Sequence, residues 1–311
     1  MPRKQSAGKD YAVYLVARIA VCILQMVSNA AARALVTAVA WVFFKLDRRH
    51  RLLALDNLRK AFPGRYTEAQ LNRLVFGTYA HLFTLLVEIS QLPRKMHKHN
   101  SDYYFDMGPK EEAILQLLRS ERPVLIVTAH FGNWELAGYG LNARGLETYA
   151  ISRPLDNPYL EKFLRRFREH TGQTMLAKKD IAKIHGALAA GGKIAVLADQ
   201  SAGLRGLPVN FFGREASTHK GVATLSLRHR APLLVVGVRK VAEPMRYQVV
   251  VEDVIYPEEY AGARAQTVRQ ITQRYTAALE RVIRSAPEQY FWLHNRWKQP
   301  ARPIGVTARA A

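Results

Sequence analysis

Cysteine is almost absent from this chain: the 311 residues contain one, Cys22. An intramolecular disulfide is therefore excluded, and the fold needs no oxidising compartment. Cys22 sits in an apolar stretch and reads as a small buried hydrophobe rather than a nucleophile. Acidic residues are scarce beside basic ones, 25 against 46, leaving a formal charge of +21. Such a balance favours an anionic partner. The basic residues come in small clusters, such as Arg48-Arg49-His50-Arg51, Arg94-Lys95, Arg165-Arg166 and Lys178-Lys179. None interleaves aromatics as a single-strand binder does, so no nucleic-acid partner is expected. The chain lacks a G-x-S-x-G elbow and an H-E-x-x-H zinc motif, and Gly186 to Lys193 misses the phosphate-loop pattern. His97 and His99 have no carboxylate or Cys at ligand spacing, so neither a metal nor a cofactor is expected. There is no internal repeat and no low-complexity linker.

Hydrophobic residues are plentiful, at 49%, which excludes a disordered chain. The most apolar part comes first. Residues 11–44 are almost wholly apolar and run into charged helix without an obvious cleavage site, unlike a signal peptide. About 20 apolar residues are needed to cross a bilayer, but Arg18 and Arg33 interrupt the run. At ~100° per residue, Arg18, Gln25, Asn29 and Arg33 fall on one narrow stripe. The segment is expected either to span obliquely or to lie partly embedded with its polar stripe against the rest of the protein. Residues 1–45 are read as an N-terminal membrane anchor helix.

From there to residue 108 the chain reads as helical. Phe62-Pro63-Gly64 is a turn, Thr67 to Gln70 a capping box, and Leu92-Pro93 a helix end. After residue 110, helices and short apolar strands alternate. Strands are expected over 124–127, 149–152, 194–197, 233–238 and 247–251. Helices are expected over 111–119, 158–169, 181–190, 221–228 and 265–284. This alternation predicts an α/β fold, a mixed sheet flanked by helices. Residues 46–311 are read as one catalytic domain, with the helices of 46–108 packed on it.

The stretch that carries chemistry is Thr128-Ala129-His130-Phe131-Gly132-Asn133-Trp134-Glu135. It begins where the strand 124–127 ends, and carboxyl ends of strands are where α/β sheets build sites. Gly132 permits a tight turn, and Trp134 to Ala137 opens a helix. The bend allows the Glu135 carboxylate to reach the His130 imidazole. Neutral imidazole suits proton abstraction from an alcohol near neutral pH, and a carboxylate on its other nitrogen fixes the tautomer. If the acyl donor is already a thioester, no protein nucleophile is required. His130 is therefore the expected general base and Glu135 its partner.

His130-Phe131-Gly132-Asn133-Trp134-Glu135 resembles the His-x4-Asp/Glu block of the lysophospholipid acyltransferase superfamily, in particular its lipid A biosynthesis lauroyl/myristoyl acyltransferase branch. Other blocks follow in order: Asn57 to Pro63, Arg153 to Pro158, Ala198-Asp199-Gln200 with Phe211-Phe212-Gly213, and Trp292 to Lys298. The resemblance spans roughly residues 10–300. It implies a glycerolipid acyltransferase-like fold at the cytoplasmic face of a bacterial inner membrane. It also implies an acyl-carrier-protein donor, a lipid A precursor as acceptor, and an anionic membrane as a further partner. The alternative donor is acyl-CoA, with another glycolipid such as a phosphoinositide mannoside as acceptor. A non-catalytic basic membrane-binding protein is the alternative outside enzymes, and His130 with Glu135 argues against it. Departures from the pattern, His219-Lys220-Gly221 and Asn295, bear on donor and acceptor rather than on reaction class.

The resemblance also places Arg153 in the site, where a guanidinium binds a phosphate or the developing oxyanion; a surface pair with Asp156 is the other reading. Asn133 either donates to the oxyanion or caps the following helix. Asp199, at the end of the strand 194–197, either orients Arg153 or fixes the turn. Arg296 and Lys298, flanked by Trp292 and Trp297, suit a lipid headgroup, or else form a C-terminal clamp. Leu160, Phe163, Leu164 and Phe167 make an apolar stripe that either packs on the sheet or lies on lipid.

Overall fold

A computed structural model describes residues 7–170 and 172–298. The ends of the two expected regions, 1–6 and 299–311, lie outside the described residues. In chain order the elements are α1 (Ala7–Met26), α2 (Asn29–Leu46), α3 (Arg48–Ala61), α4 (Glu68–Lys95), α5 (Ser101–Tyr104), β1 (Phe105–Asp106), α6 (Glu111–Arg119), β2 (Val124–Thr128), α7 (Trp134–Ala143) and β3 (Thr148–Ser152). They continue with α8 (Pro158–His170), β4 (Gln173–Ala177), α9 (Ile181–Ala189), β5 (Lys193–Leu197), β6 (Leu207–Phe211), β7 (Arg214–Thr218), α10 (Gly221–His229), β8 (Leu233–Ala242), β9 (Arg246–Ile255) and α11 (Arg264–Ser285).

Seven strands form one mixed sheet in the order β1-β9-β8-β2-β5-β3-β4, while β6 and β7 form a separate hairpin. Every pairing in the large sheet is parallel except β8 with β9. The central strand β2, Val-Leu-Ile-Val-Thr, is buried at every position. Such a run is what a parallel strand covered on both faces requires. One core, including Leu125, Val127, Leu233 and Ile271, fills one face. The other, including Val124, Ile126, Leu136 and Leu234, fills the opposite face.

The apolar N-terminal stretch is two helices rather than one. Ser28 breaks it by accepting a hydrogen bond from Ala31 N at 3.3 Å, which caps α2. Three of the four stripe residues meet protein: Arg18 lies over the Phe163 ring of α8, Gln25 donates to Ser90 O at 2.9 Å, and Lys95 reaches Asn29 Oδ1 at 2.6 Å, while Arg33 is exposed. The opposite face carries Val16, Ile19, Ile23, Trp41 and Phe43 into the open. Cys22, expected to be buried, is exposed on α1. Of the described helices, α2 is long and apolar enough to cross a membrane.

Helix α4 starts at the capping box, with Thr67 N bonded to Gln70 Oε1 at 2.8 Å and Gln70 N to Thr67 Oγ1 at 3.3 Å. It does not end at Leu92-Pro93 but runs through Pro93 to Lys95. Pro93 removes one intrahelical bond, the one to the Ile89 carbonyl, and the helix ends two residues later. The apolar stripe of α8 packs inward, with Phe163 against Tyr14 of α1 at 6.4 Å and Phe167 in the core.

Candidate active site

Strand register builds the centre of the site. β2 and β5 are parallel neighbours with Thr128 opposite Leu197. Two residues beyond each of those come His130 and Asp199. Ala198 N donates to Thr128 O at 2.9 Å, which continues the pairing past the strand ends. Asp199, only 4% exposed, then accepts twice from one residue: His130 Nδ1–H at 2.9 Å on Oδ1, and His130 N–H at 3.1 Å on Oδ2. A carboxylate can only accept, so the imidazole carries its proton on Nδ1, and Nε2 is the nitrogen left for chemistry.

The electrostatics follow from that contact. Burial disfavours the charged imidazole, but the Asp199 charge and hydrogen bond outweigh it, with Glu135 adding to the field. The His130 pKa is raised above its ordinary value as a result. Burial would likewise raise Asp199, yet the imidazole and main-chain N–H bonds hold its carboxyl below the usual range.

The carboxylate on the imidazole is thus Asp199 and not Glu135, which sequence spacing suggested. Glu135 occupies the first turn of α7, which turns its carboxylate toward α8. There it accepts from Arg168 Nε at 2.9 Å and from a terminal nitrogen at 2.5 Å. Among the described residues no hydrogen bond joins Glu135 to His130. The pair with Arg168 is largely buried, at 12% and 20% side-chain exposure. A two-pronged, charge-assisted contact of this kind fixes both side chains.

Gly132 makes the turn possible. Its φ is +57°, and a Cβ there would lie 1.7 Å from Val238 O. Asn133 behaves as a cap: Oδ1 accepts from Leu136 N at 3.0 Å. The rest of its amide meets the buried Tyr247 hydroxyl, which bonds Glu88. The oxyanion reading of Asn133 has no support in this geometry, because the amide is 1% exposed and engaged within the fold.

The remaining expected residues lie apart from His130. Arg153 is 82% exposed and stands 3.6 Å from Asp156, so the surface pair is what forms, and Asp199 does not orient it. Arg296 is buried rather than at a headgroup: it donates to Ser217 O and Thr218 Oγ1, both at 2.6 Å, and packs on Phe211. It is a clamp on β7. Lys298 is exposed.

Several residues in or around the site escaped the sequence reading. Arg168 is one, although it falls four residues after Leu164, on the apolar stripe of α8, where a charge signals a buried partner. His81 of α4 and Tyr290 line the same crevice as His130, Trp134, Gln289 and Phe291. Asn57 donates to Trp292 O at 2.7 Å and His294 O at 2.8 Å, while Ser201 N donates to His294 Nε2 at 3.2 Å. Phe62, Phe212 and Trp292 meet as an edge-to-face aromatic cluster. Three of the ordered blocks in the sequence therefore meet as one scaffold.

A family model described as bacterial lipid A biosynthesis acyltransferase matches residues 3–299 of the chain. The lipid A biosynthesis palmitoleoyltransferase of Escherichia coli (strain K12) is 28% identical over 274 residues, covering 84% of this chain and 82% of that one. The lipid A biosynthesis acyltransferase of Shigella flexneri matches to the same extent. The lipid A biosynthesis lauroyltransferase of Escherichia coli (strain K12) is 29% identical over 205 residues, covering 64% of this chain and 63% of that one.

Proposed function

The chain belongs to the bacterial lipid A biosynthesis acyltransferase family, and we propose that it carries a fatty acyl group from an acyl-carrier-protein thioester to a hydroxyl of a lipid A precursor, with His130 as general base. The observation that carries the mechanism is the His130–Asp199 contact, 2.9 Å at Nδ1. It leaves Nε2 of the neutral ring as proton acceptor.

The acceptor hydroxyl gives its proton to Nε2 as its oxygen attacks the thioester carbonyl. The tetrahedral adduct collapses with cleavage of the carbon–sulfur bond. The departing thiolate takes the proton back from the imidazolium, so the enzyme ends as it began. Asp199 stabilises the imidazolium between these two transfers. Glu135, held by Arg168, adds negative charge near the ring without taking its hydrogen. No covalent intermediate on the protein is needed, which suits a chain with one cysteine, on α1.

The protein acts at a membrane in this reading. The outward faces of α1 and α2 expose Val16 at 69% and Ile19 at 60% on the first and Trp41 at 55% on the second. Contiguous apolar surface of this kind marks a lipid or protein contact. The polar stripe of the same helices is already used against α4 and α8. The +21 charge favours an anionic inner-membrane surface and an acidic carrier protein alike. The catalytic end then faces the cytoplasm, where carrier-bound acyl groups are found.

Two measurements test the reading. Expression in a host without its own late acyltransferases should add one acyl chain to its lipid A, seen by mass spectrometry. His130→Ala should lower that transfer by about 10²–10⁴-fold while the protein stays folded. Near-normal transfer by H130A would remove the base, and acylation supported by acyl-CoA alone would move the donor to the alternative.

A further inference from the structure

The turn bearing His130 is tied down at successive main-chain groups by different elements. The His130 N–H goes to Asp199, and the His130 carbonyl accepts from Phe291 N at 3.0 Å. Gly132 N–H donates to Gln289 O at 3.0 Å, and Asn133 N–H to Val238 O at 2.9 Å. The Gly132 carbonyl, like the His130 N–H, is held by a side chain. Nε2 of His81, on α4, lies 3.1 Å from it. A carbonyl only accepts, so Nε2 of His81 holds that ring's proton.

The surroundings keep this second imidazole neutral. Burial is the main cause and pushes its pKa down to about 4; the Lys240 charge works in the same direction, while the Gly132 carbonyl and Glu243 oppose it. Lys240 is itself held by Glu88 at 2.8 Å and Glu243 at 2.5 Å. Glu88 lies two helical turns beyond His81 on the same face of α4, and it reaches Asn133 through the Tyr247 hydroxyl. One face of α4 therefore braces both Gly132 and Asn133.

That brace answers a particular weakness. Val238 leaves no room for a side chain at residue 132, so the turn must use glycine. Glycine is also the residue with the widest choice of backbone conformations. The peptide after Gly132 is gripped at its N–H by Val238 O and at its carbonyl by His81, and loss of the second grip would let it tilt and move His130, two residues away, relative to Asp199 and to the acceptor. Displacements near 1 Å in such arrangements cost about 10²-fold in rate.

We propose that His81 is a positioning residue for acyl transfer: its Nε2–H fixes the Gly132 carbonyl and so keeps the His130 imidazole aligned between Asp199 and the acceptor hydroxyl. This rests on His130 being the base. The test compares His81→Leu, which has no donor, with His81→Gln, whose amide N–H can reach the carbonyl. Both are made in the full-length membrane enzyme and in the D199N background. H81L should lower kcat by about 10–10²-fold with KM for both substrates little changed. Its acid limb should move to lower pH as the Asp199 contact loosens. That limb is set by the charged groups facing His130, namely Asp199 and Glu135, with His294 on the other side. H81Q should recover most of kcat and the normal limb. H81L should cost little more once D199N has already removed the contact.

Wild-type kcat in H81L would overturn the proposal. So would a loss that tracks a fall in Tm, leaves the acid limb in place and is not rescued by H81Q, since His81 would then be a packing residue. If Leu unfolds the protein, His81→Met is read against H81Q in the same way. H130A keeps the two ideas apart. An active H130A removes the base itself, whereas an inactive H130A beside a normal H81L removes only His81.

Discussion

Replacing Asp199 by Asn discriminates between the two carboxylates near His130. Asp199 accepts from two donors of that residue, Nδ1–H at 2.9 Å and the main-chain N–H at 3.1 Å. An amide has one oxygen to offer. With the oxygen on the main-chain N–H, its NH2 meets Nδ1, and the ring is driven into the tautomer with hydrogen on Nε2. That tautomer cannot take a proton from the acceptor. With the amide reversed, two N–H groups face each other in a buried site, which is the costlier choice. The working tautomer is therefore depopulated, and the imidazolium loses its counter-charge. Losses of tautomer control and charge in such pairs run to about 10²–10⁴-fold in kcat, equivalent to roughly 2.7–5.5 kcal/mol of transition-state stabilisation. The pH profile adds a sign. In the wild type the His130 pKa is raised, so activity falls as pH drops through a value above the ordinary ~6.5 of imidazole. Without Asp199, burial acts against the charged ring with only Glu135 to oppose it, so the acid limb should shift to lower pH. Glu135→Gln leaves the Nδ1 contact intact and should cost less, on the order of 10–10²-fold, with the limb nearly in place. The assay is steady-state acyl transfer from about pH 5.5 to 9, the range over which an imidazole titrates. Normal kcat and an unmoved limb in D199N, together with an abolished limb in E135Q, would refute the assignment.

Gly132→Ala should destabilise the protein by about 2–4 kcal/mol, read as a lowered denaturation midpoint, because its Cβ would fall 1.7 Å from Val238 O; a wild-type midpoint would show that β8 yields there. Rising salt should raise KM for acyl carrier protein while kcat holds, since exposed charges are screened over ~8 Å at physiological ionic strength. Charge reversal at the exposed Arg165 and Arg166 should mimic that effect, and a flat KM in both experiments would mean that the basic surface does not steer the donor. Removing residues 1–45 should abolish flotation with anionic vesicles and expose the α4 surface that α1 and α2 cover; a soluble truncated enzyme fully active on lipid acceptors would contradict the anchor.

Local pattern made most elements readable and some not. β2 and the part of β5 after Lys193 are short apolar runs, and α6 matches the expected residues 111–119. β4, Gln173–Ala177, mixes polar and apolar residues at the sheet edge and gives no clean period. β6 and β7 were hidden because their turn uses Phe212 and Gly213, both at positive φ, and the two strands bury only alternate positions. The break at Ser28 was hidden in another way. A long apolar run overrode the cap signal of one serine.

The site divides along a similar line. A histidine at the end of an apolar strand, followed by glycine and a helix start, is a local signal, and it located His130. What His130 touches is not local. Asp199 lies 69 residues away, and the link is the β2–β5 register, which periodicity cannot supply. Arg168 is separated from Glu135 by 33 residues and His81 from Gly132 by 51. Proximity in sequence favoured Glu135 as the partner of His130, but a helix begins between them, and its first turn carries the carboxylate toward α8. The His-x4-Glu spacing then has a different physical meaning. It places one group on the turn and one on the helix, so that each can be gripped by its own distant partner. Asp199 holds the base in its tautomer, and Arg168 fixes the second negative charge beside it without competing for the Nδ1 hydrogen.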